Sequence, residues 1–347
     1  MKTQNRIAHH LGLVSGLLLH ILFAFTLLGQ DLHYSQYFNA PLLTNPANTG
    51  FEPGSDWRIG ANYRNQWAGV LTNPYQTFGV WGDAQLFNER FETGWAGAGG
   101  YILRDAAGSG NLSSTRIVAS AAYHQLLGYS SLLSGGFSIG AVNKRIDLSK
   151  LTFVNQWSGQ FFDITIPSGE TFSNSSVWYA DLSLGLNYAY FPSERAYLNA
   201  GISINHINRP NESFFSNSIV DTRVPQRFNF FANASFKIQN QWIISPNIYY
   251  SGVKNNREIV GGVNARYNLS GDGSKQVLAG VYYRLEDAII PMAGFSINNF
   301  DIMVNYDATS MNSRNLSQTR GAYEISLIKR GVFNSFSTST KCPLVRF

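Results

Sequence analysis

Residues 56–69, "DWRIGANYRNQWAG", separate when they are read by parity. Trp57, Ile59, Ala61, Tyr63 and Trp67 fall on one face, with Asn65 the one polar member. Arg58, Gly60, Asn62, Arg64 and Gln66 fall on the other. Successive side chains of a strand point to opposite faces, so this is an apolar wall backed by a polar one. The two tryptophans add a length. At about 3.3 Å per residue and a tilt near 45°, they lie roughly 23 Å apart along a membrane normal. The apolar band of an outer-membrane barrel is about 25 Å tall and bounded by aromatic girdles. The stretch therefore reads as a lipid-crossing strand. Trp57 and Trp67 mark the two interfaces, Asn65 lies near a rim, and Arg58, Arg64 and Gln66 face a lumen.

Composition points the same way. Charged residues make up 14% of the 347-residue chain and aromatics another 14%, whereas soluble domains carry roughly 25% charge. Residues 11–28 are almost wholly apolar behind Lys2 and Arg6, and Gly29 offers a small residue for cleavage before Gln30. This reads as a signal peptide over 1–29, with a membrane anchor as the alternative. No later segment is apolar for long enough to span as a helix. The formal charge of +5 is spread without a Lys/Arg run, which argues against nucleic acid. The single Cys342 excludes an internal disulfide and a cysteine metal site.

Alternating runs recur fourteen times between Trp57 and about residue 329. In 178–190, Trp178, Ala180, Leu182, Leu184, Leu186, Tyr188 and Tyr190 oppose a smaller and more polar set, which puts Trp178 and Tyr190 at the interfaces. In 300–307, Phe300, Ile302, Val304 and Tyr306 oppose Asp301, Met303, Asn305 and Asp307. "GWAGAGG" (94–100) is a glycine-dense run suited to close backbone approach, and Pro246 and Pro291 interrupt two runs. Connections after odd-numbered strands include the long 147–175 and 208–224. Those after even-numbered strands are tight, such as "FPSE" and "LSGDGS". Short periplasmic turns and longer external loops are the rule for these barrels. The expected architecture is all-β: a transmembrane antiparallel β-barrel of about fourteen strands over 57–330, with both termini periplasmic. A lead segment would precede it and a periplasmic tail, 331–347, would follow.

The lead, 30–56, is too long for a bare linker. One expectation is a plug in the barrel mouth, with Tyr34, Tyr37 and Phe38 packed inside and Asn45 and Pro46 fixing a turn. The alternative is a disordered periplasmic lead.

Several stretches also carry a family resemblance: "QDLHYSQYFNAPLLTNPANTG" (30–50), "NYRNQWAG" (62–69), "FDIMVNYDATS" (300–310), "RGAYEISL" (320–327) and "KCPLVRF" (341–347). In this order they resemble the PorP/SprF family, outer-membrane proteins associated with type IX secretion and gliding motility. The resemblance implies a non-enzymatic role, as anchor or export partner for a surface protein with a type IX C-terminal signal. Its other implied partners are periplasmic or outer-membrane components of the same machinery.

No Gly-x-Ser-x-Gly elbow, His-Glu-x-x-His or Walker loop is present, and no cofactor is expected. A hydrolase built on His124 or His206 is the least favoured class, and a channel for a small solute is the main alternative. For the cargo contact, the candidates are the aromatics of the two long connections: Trp157, Phe161, Phe162, Phe214 and Phe215. The basic residues Lys329, Arg330, Lys341 and Arg346 could meet an acidic periplasmic partner.

Overall fold

The computed structural model describes residues 34–333, apart from 53, 70, 88–89, 109, 171, 173, 216–220, 255 and 310–320. The signal-peptide region, His33, Cys342, Lys341 and Arg346 lie outside the described residues, as do the tail beyond 333 and most of the last odd-numbered connection.

Alternation between two environments sets the strands, and it holds along most of their length. They are β1 (Trp57–Gln66), β2 (Tyr75–Leu86), β3 (Gly94–Ala107), β4 (Leu112–Leu126), β5 (Ser131–Arg145), β6 (Ser176–Ser193) and β7 (Ala196–Asn205). The second half comprises β8 (Arg227–Ile238), β9 (Trp242–Val253), β10 (Asn256–Asn268), β11 (Lys275–Arg284), β12 (Ala288–Ile297), β13 (Phe300–Thr309) and β14 (Ala322–Gly331). Each pairs antiparallel with its sequence neighbours, and β1 pairs with β14 from Trp57↔Gly331 to Gln66↔Ala322, closing the barrel. Closure leaves no sheet edge with unpaired backbone in lipid. Among the described residues no helix is long and apolar enough to cross a membrane.

On β13 the outward Phe300, Ile302, Val304 and Tyr306 are exposed, and the inward Asp301, Met303, Asn305 and Asp307 are buried. On β6 the outward set runs from Trp178 to Tyr190 and the buried inward set includes Asp181, Asn187 and Ala189. The outer wall is apolar at Ile59, Phe78, Ile102, Ile117, Phe137 and Ile202, all more than half exposed. That exposure is intelligible only if hydrocarbon covers it. Pro246 and Pro291 sit inside β9 and β12 rather than ending them. Ladder pairs beside them are missing, while the register on either side is unchanged.

Two features depart from the parity reading. The alternation of β1 stops at Gln66. Trp67 takes a left-handed φ of 59° and turns its ring edge-on to Tyr75. It therefore leaves the strand line on which the 23 Å spacing rested. The second concerns connections. The two longest, 146–175 and 206–226, do lie at the same end, but so do the tight turns 254–255 and 285–287. Loop-length parity holds only for the extremes, because each turn's length is set by its own residues and not by its side of the barrel. Asn65, the polar misfit, is buried on the outer face. Its Nδ2 donates to the hydroxyls of Tyr63 (3.3 Å) and Tyr323 (3.0 Å).

Candidate functional site

Residues 34–55 run through the barrel interior, and nearly all of them are buried. Three short turns shape the segment: a 3-10 turn at Tyr37–Asn39, the helix α1 at Pro41–Thr44, and a 3-10 turn at Pro46–Asn48. Pro41 and Pro46 each open a turn, where proline's fixed φ fits and its missing N–H costs nothing. Asn45 caps the last turn, its Oδ1 accepting from the Ala47 N–H at 2.8 Å.

Two kinds of contact hold the segment, the first of them electrostatic. Glu324 on β14 is fully buried and accepts from the backbone N–H groups of Ser35 (2.9 Å) and Gln36 (3.0 Å). The Ser35 hydroxyl donates to Asp307 Oδ2 at 2.7 Å and accepts from Arg64 Nη1 (2.7 Å) and Arg284 Nη2 (2.5 Å). Arg64 also pairs with Asp307 (2.9 Å) and Glu324 (3.2 Å), and Arg284 pairs with Asp307 (3.0 Å). Two guanidinium groups and two carboxylates, drawn from β1, β11, β13 and β14, thus converge on one serine. Lower down, Arg58 grips Asp83 through two bonds (2.9 and 2.5 Å) and donates to the Asn48 carbonyl at 2.9 Å. Asp83 in turn accepts from the Gly50 N–H at 2.6 Å.

The second kind of contact is steric. A Cβ added to Gly185 would lie 1.9 Å from Asn45 Oδ1, and one added to Gly97 would lie 2.0 Å from the Thr49 carbonyl oxygen. At Gly136 it would meet Pro46 O at 2.5 Å and the Ala47 backbone at 2.6 Å, and at Gly201 the Asn45 amide at 2.8 Å. The glycines of β3, β5, β6 and β7 form a bare-backbone seat for Asn45–Gly50. There Asn45 Nδ2 donates to the Leu186 (2.9 Å) and Ile202 (3.0 Å) carbonyls. Asn45→Ala removes three hydrogen bonds, each worth about 1 kcal/mol net, so the barrel should lose about 2–3 kcal/mol. Urea unfolding of the folded barrel in detergent measures that loss.

Two inward tryptophans complete the seat. The Trp81 indole donates to Asn39 O (3.1 Å) and Asn62 Oδ1 (3.0 Å), and the Trp95 indole to Gly50 O (2.9 Å). His124 is fully buried and stacked on Trp95, with ring nitrogens 2.8 Å from Ser134 Oγ and from Thr49 O. Nε2 thus holds the segment at Thr49, while Nδ1 is fixed by Ser134 of β5. His206 is buried against Asp181 at 2.8 Å.

The stretches that carry the sequence resemblance meet here. "SQYF" supplies Ser35 and Gln36, "NPA" the capped turn, "YRNQW" Arg64, "NYD" Asp307 and "AYE" Glu324. The family model described as type IX secretion system membrane protein PorP/SprF matches residues 27–328. The chain belongs to the PorP/SprF family. As a PorP/SprF protein it is a membrane component of type IX secretion, and its fold is that of an outer-membrane barrel. No curated protein matches the sequence. Among solved structures it is similar to the Pseudomonas putida toluene transporter TodX, with 12% identity over 84% of this chain and 92% of that one and a TM-score of 0.51. The Ralstonia pickettii toluene transporter TbuX matches at 13% identity over 84% and 94% of the two chains, with a TM-score of 0.47. At such identities the likeness concerns the fold alone.

In this PorP/SprF barrel the other singled-out residues scatter. Gln66 is half-buried at the end of β1, and Trp57 packs outward over Gly331. Tyr34 packs with Ala40 and Leu103, while Tyr37 stacks on Tyr249 (4.7 Å) and Phe38 on Tyr282 (5.5 Å). The loop aromatics form two groups. Trp157 and Phe162 pair edge-on at 5.0 Å, with Phe161 exposed beside them, and Phe215 stacks on Phe172 at 4.9 Å. Phe214 binds Asn174 through its carbonyl, linking the two long connections. Glu212 ties the second of these connections to the ends of β5 and β6 by pairing with Lys144 and accepting from Tyr179 at 2.8 Å. Arg330 faces inward, bonded to Asp301 (2.7 Å) and paired with Glu52 (3.2 Å), so it is not part of an exposed basic cluster.

Sequence reasoning missed Trp81, Trp95, Asp83, Arg284 and Glu324. One signal was available: tryptophan at Trp81 shares its parity with Thr77, Gly79 and Asp83, a polar set where an indole is out of place.

Proposed function

We propose that this barrel anchors or helps export a cell-surface cargo protein of type IX secretion, with its lumen occupied by residues 34–56 as a plug. The observation that carries the reading is that the interior of the closed fourteen-strand barrel is occupied by a segment of its own chain, locked by buried ion pairs. A filled lumen suits a holder of proteins better than an open pore. The long connections 146–175 and 206–226 face outside the cell on this reading, and the chain ends face the periplasm.

The exposed tip at Trp157, Phe161 and Phe162 is the first candidate for the cargo contact, with Phe214 and Phe215 as the second. Aromatic anchors carry most of the energy in protein interfaces, about 2 kcal/mol or more each. Gentle-detergent purification followed by mass spectrometry is expected to recover a large surface protein. Trp157→Ala with Phe161→Ala should reduce that recovery at least about tenfold without changing barrel stability. A barrel recovered alone at the wild-type sequence sinks the anchor reading. Steady solute flux through the intact protein in liposomes would favour the channel alternative instead.

A further inference from the structure

At the barrel end that carries the connections 146–175 and 206–226, the outer wall turns aromatic. Trp178 on β6, Tyr250 on β9, Tyr283 on β11, Tyr306 on β13 and Tyr323 on β14 all point outward within three residues of that strand end, each more than a third exposed. Rings with an apolar body and a polar tip belong at a membrane–water boundary.

The belt is interrupted on β3 to β5. Arg104 pairs in the ladder with Thr115, Thr115 pairs with Asn143, and Arg145 lies one outward position beyond Asn143. Arginine, threonine and asparagine therefore stand where the five strands above present rings. Below them Ile102, Ile117 and Ile139 are more than half exposed, which marks the hydrocarbon side.

Arg104 and Arg145 are both exposed, and by ladder geometry their Cα atoms lie roughly 12 Å apart. Neither guanidinium has an ion pair or a side-chain hydrogen bond among the described residues. The inward arginines differ: Arg58, Arg64, Arg284 and Arg330 are each matched to a carboxylate. An arginine on the lipid face is costly in hydrocarbon and tolerated at the interface, where its long side chain reaches toward headgroups. Its planar fork matches phosphate oxygens two at a time.

We propose that the outer wall of β3 to β5 is a binding site for a phosphorylated glycolipid headgroup of the external leaflet. The two arginines take its phosphates, Thr115 and Asn143 between them supply polar contacts to the sugar, and the isoleucines beneath receive the acyl chains. The choice of leaflet rests on the topology proposed for this barrel, with 146–175 outside the cell, because the external leaflet of an outer membrane is built from phosphorylated glycolipid. A glycerophospholipid headgroup of the inner leaflet would lie at the opposite strand ends.

The test uses the full mature chain in neutral detergent micelles, with bound lipid counted by native mass spectrometry. The probes are bisphosphorylated lipid A, the same lipid stripped of its phosphates, and phosphatidylglycerol. Lipid A should stay bound at concentrations where the other two do not. Arg104→Gln with Arg145→Gln should weaken it roughly tenfold or more at an unchanged melting temperature, since both side chains are exposed. Arg257→Gln, an exposed position on β10 across the barrel, should leave it unchanged. If the double variant fails to fold, Thr115→Glu sets a carboxylate between the two arginines and should weaken binding as much. The proposal is overturned if lipid A binds no more tightly than phosphatidylglycerol or its dephosphorylated form. It is equally overturned if binding survives the substitutions at Arg104, Arg145 and Thr115, or if Arg257→Gln weakens it as much as the pair. Micelles present both ends of the barrel alike, so failure here is separate from failure of the cargo reading.

Discussion

Arg64→Met is expected to free the N-terminal segment from the lumen. The substitution leaves Glu324 and Asp307, both almost wholly buried, with one guanidinium between them in place of two. Removing one partner of a buried ion pair costs about 3–5 kcal/mol, because an uncompensated charge stays behind. Much of that cost is relieved if the Ser35–Gln36 end leaves the lumen and water reaches the carboxylates. Protease added to the folded barrel should therefore cut within 34–56 in the variant and spare the wild type. Single-channel conductance should rise in parallel. The double variant Arg64→Met/Glu324→Gln removes both charges, keeps an amide oxygen for the Ser35 and Gln36 N–H groups, and leaves Asp307 with Arg284. It should be less destabilised than Arg64→Met alone, since the leftover anion is gone. Equal protease resistance in wild type and Arg64→Met would refute the lock.

Adjacent glycines on β5 give the second large effect. Gly135 and Gly136 face opposite sides of the wall. A Cβ on Gly135 meets nothing nearer than Leu186 at 3.7 Å, whereas one on Gly136 runs into the Pro46 and Ala47 backbone at 2.5–2.6 Å. Backbone cannot swing aside as a side chain can. Gly136→Val should therefore displace the Asn45–Ala47 turn and cost about 3 kcal/mol or more, from overpacking and lost hydrogen bonds together. Gly135→Val, on the outer wall, should stay within about 1 kcal/mol of wild type, because valine suits a strand. The comparison, read by urea midpoint and by protease access to 34–56, holds strand and composition constant. Similar behaviour of the two variants would mean that the turn does not rest on bare backbone.

The barrel was legible from sequence because its governing pattern is local. Trp178 to Tyr190 and Phe300 to Asp307 alternate with a period of two, and that period needs no knowledge of which strands touch. Its reach ended where local geometry did, at Trp67, whose left-handed backbone takes it off the β1 line. The inward face was legible only as polar. Nothing nearby in the chain marks Glu324 as the acceptor for Ser35, a partner 289 residues away. The glycine seat was equally hidden. Gly97, Gly136, Gly185 and Gly201 come from four strands and read singly as weak points of a sheet.

By itself, then, the sequence determined an antiparallel wall with lipid on one side and polar groups on the other. Side-chain direction along a strand is a property of neighbouring residues, and the two surroundings select opposite chemistries at every step. Only the tertiary structure decided what occupies the interior and how it is held. That outcome depends on barrel closure, which brings Arg64, Arg284, Asp307 and Glu324 around one serine and sets bare backbone from four strands beneath one turn.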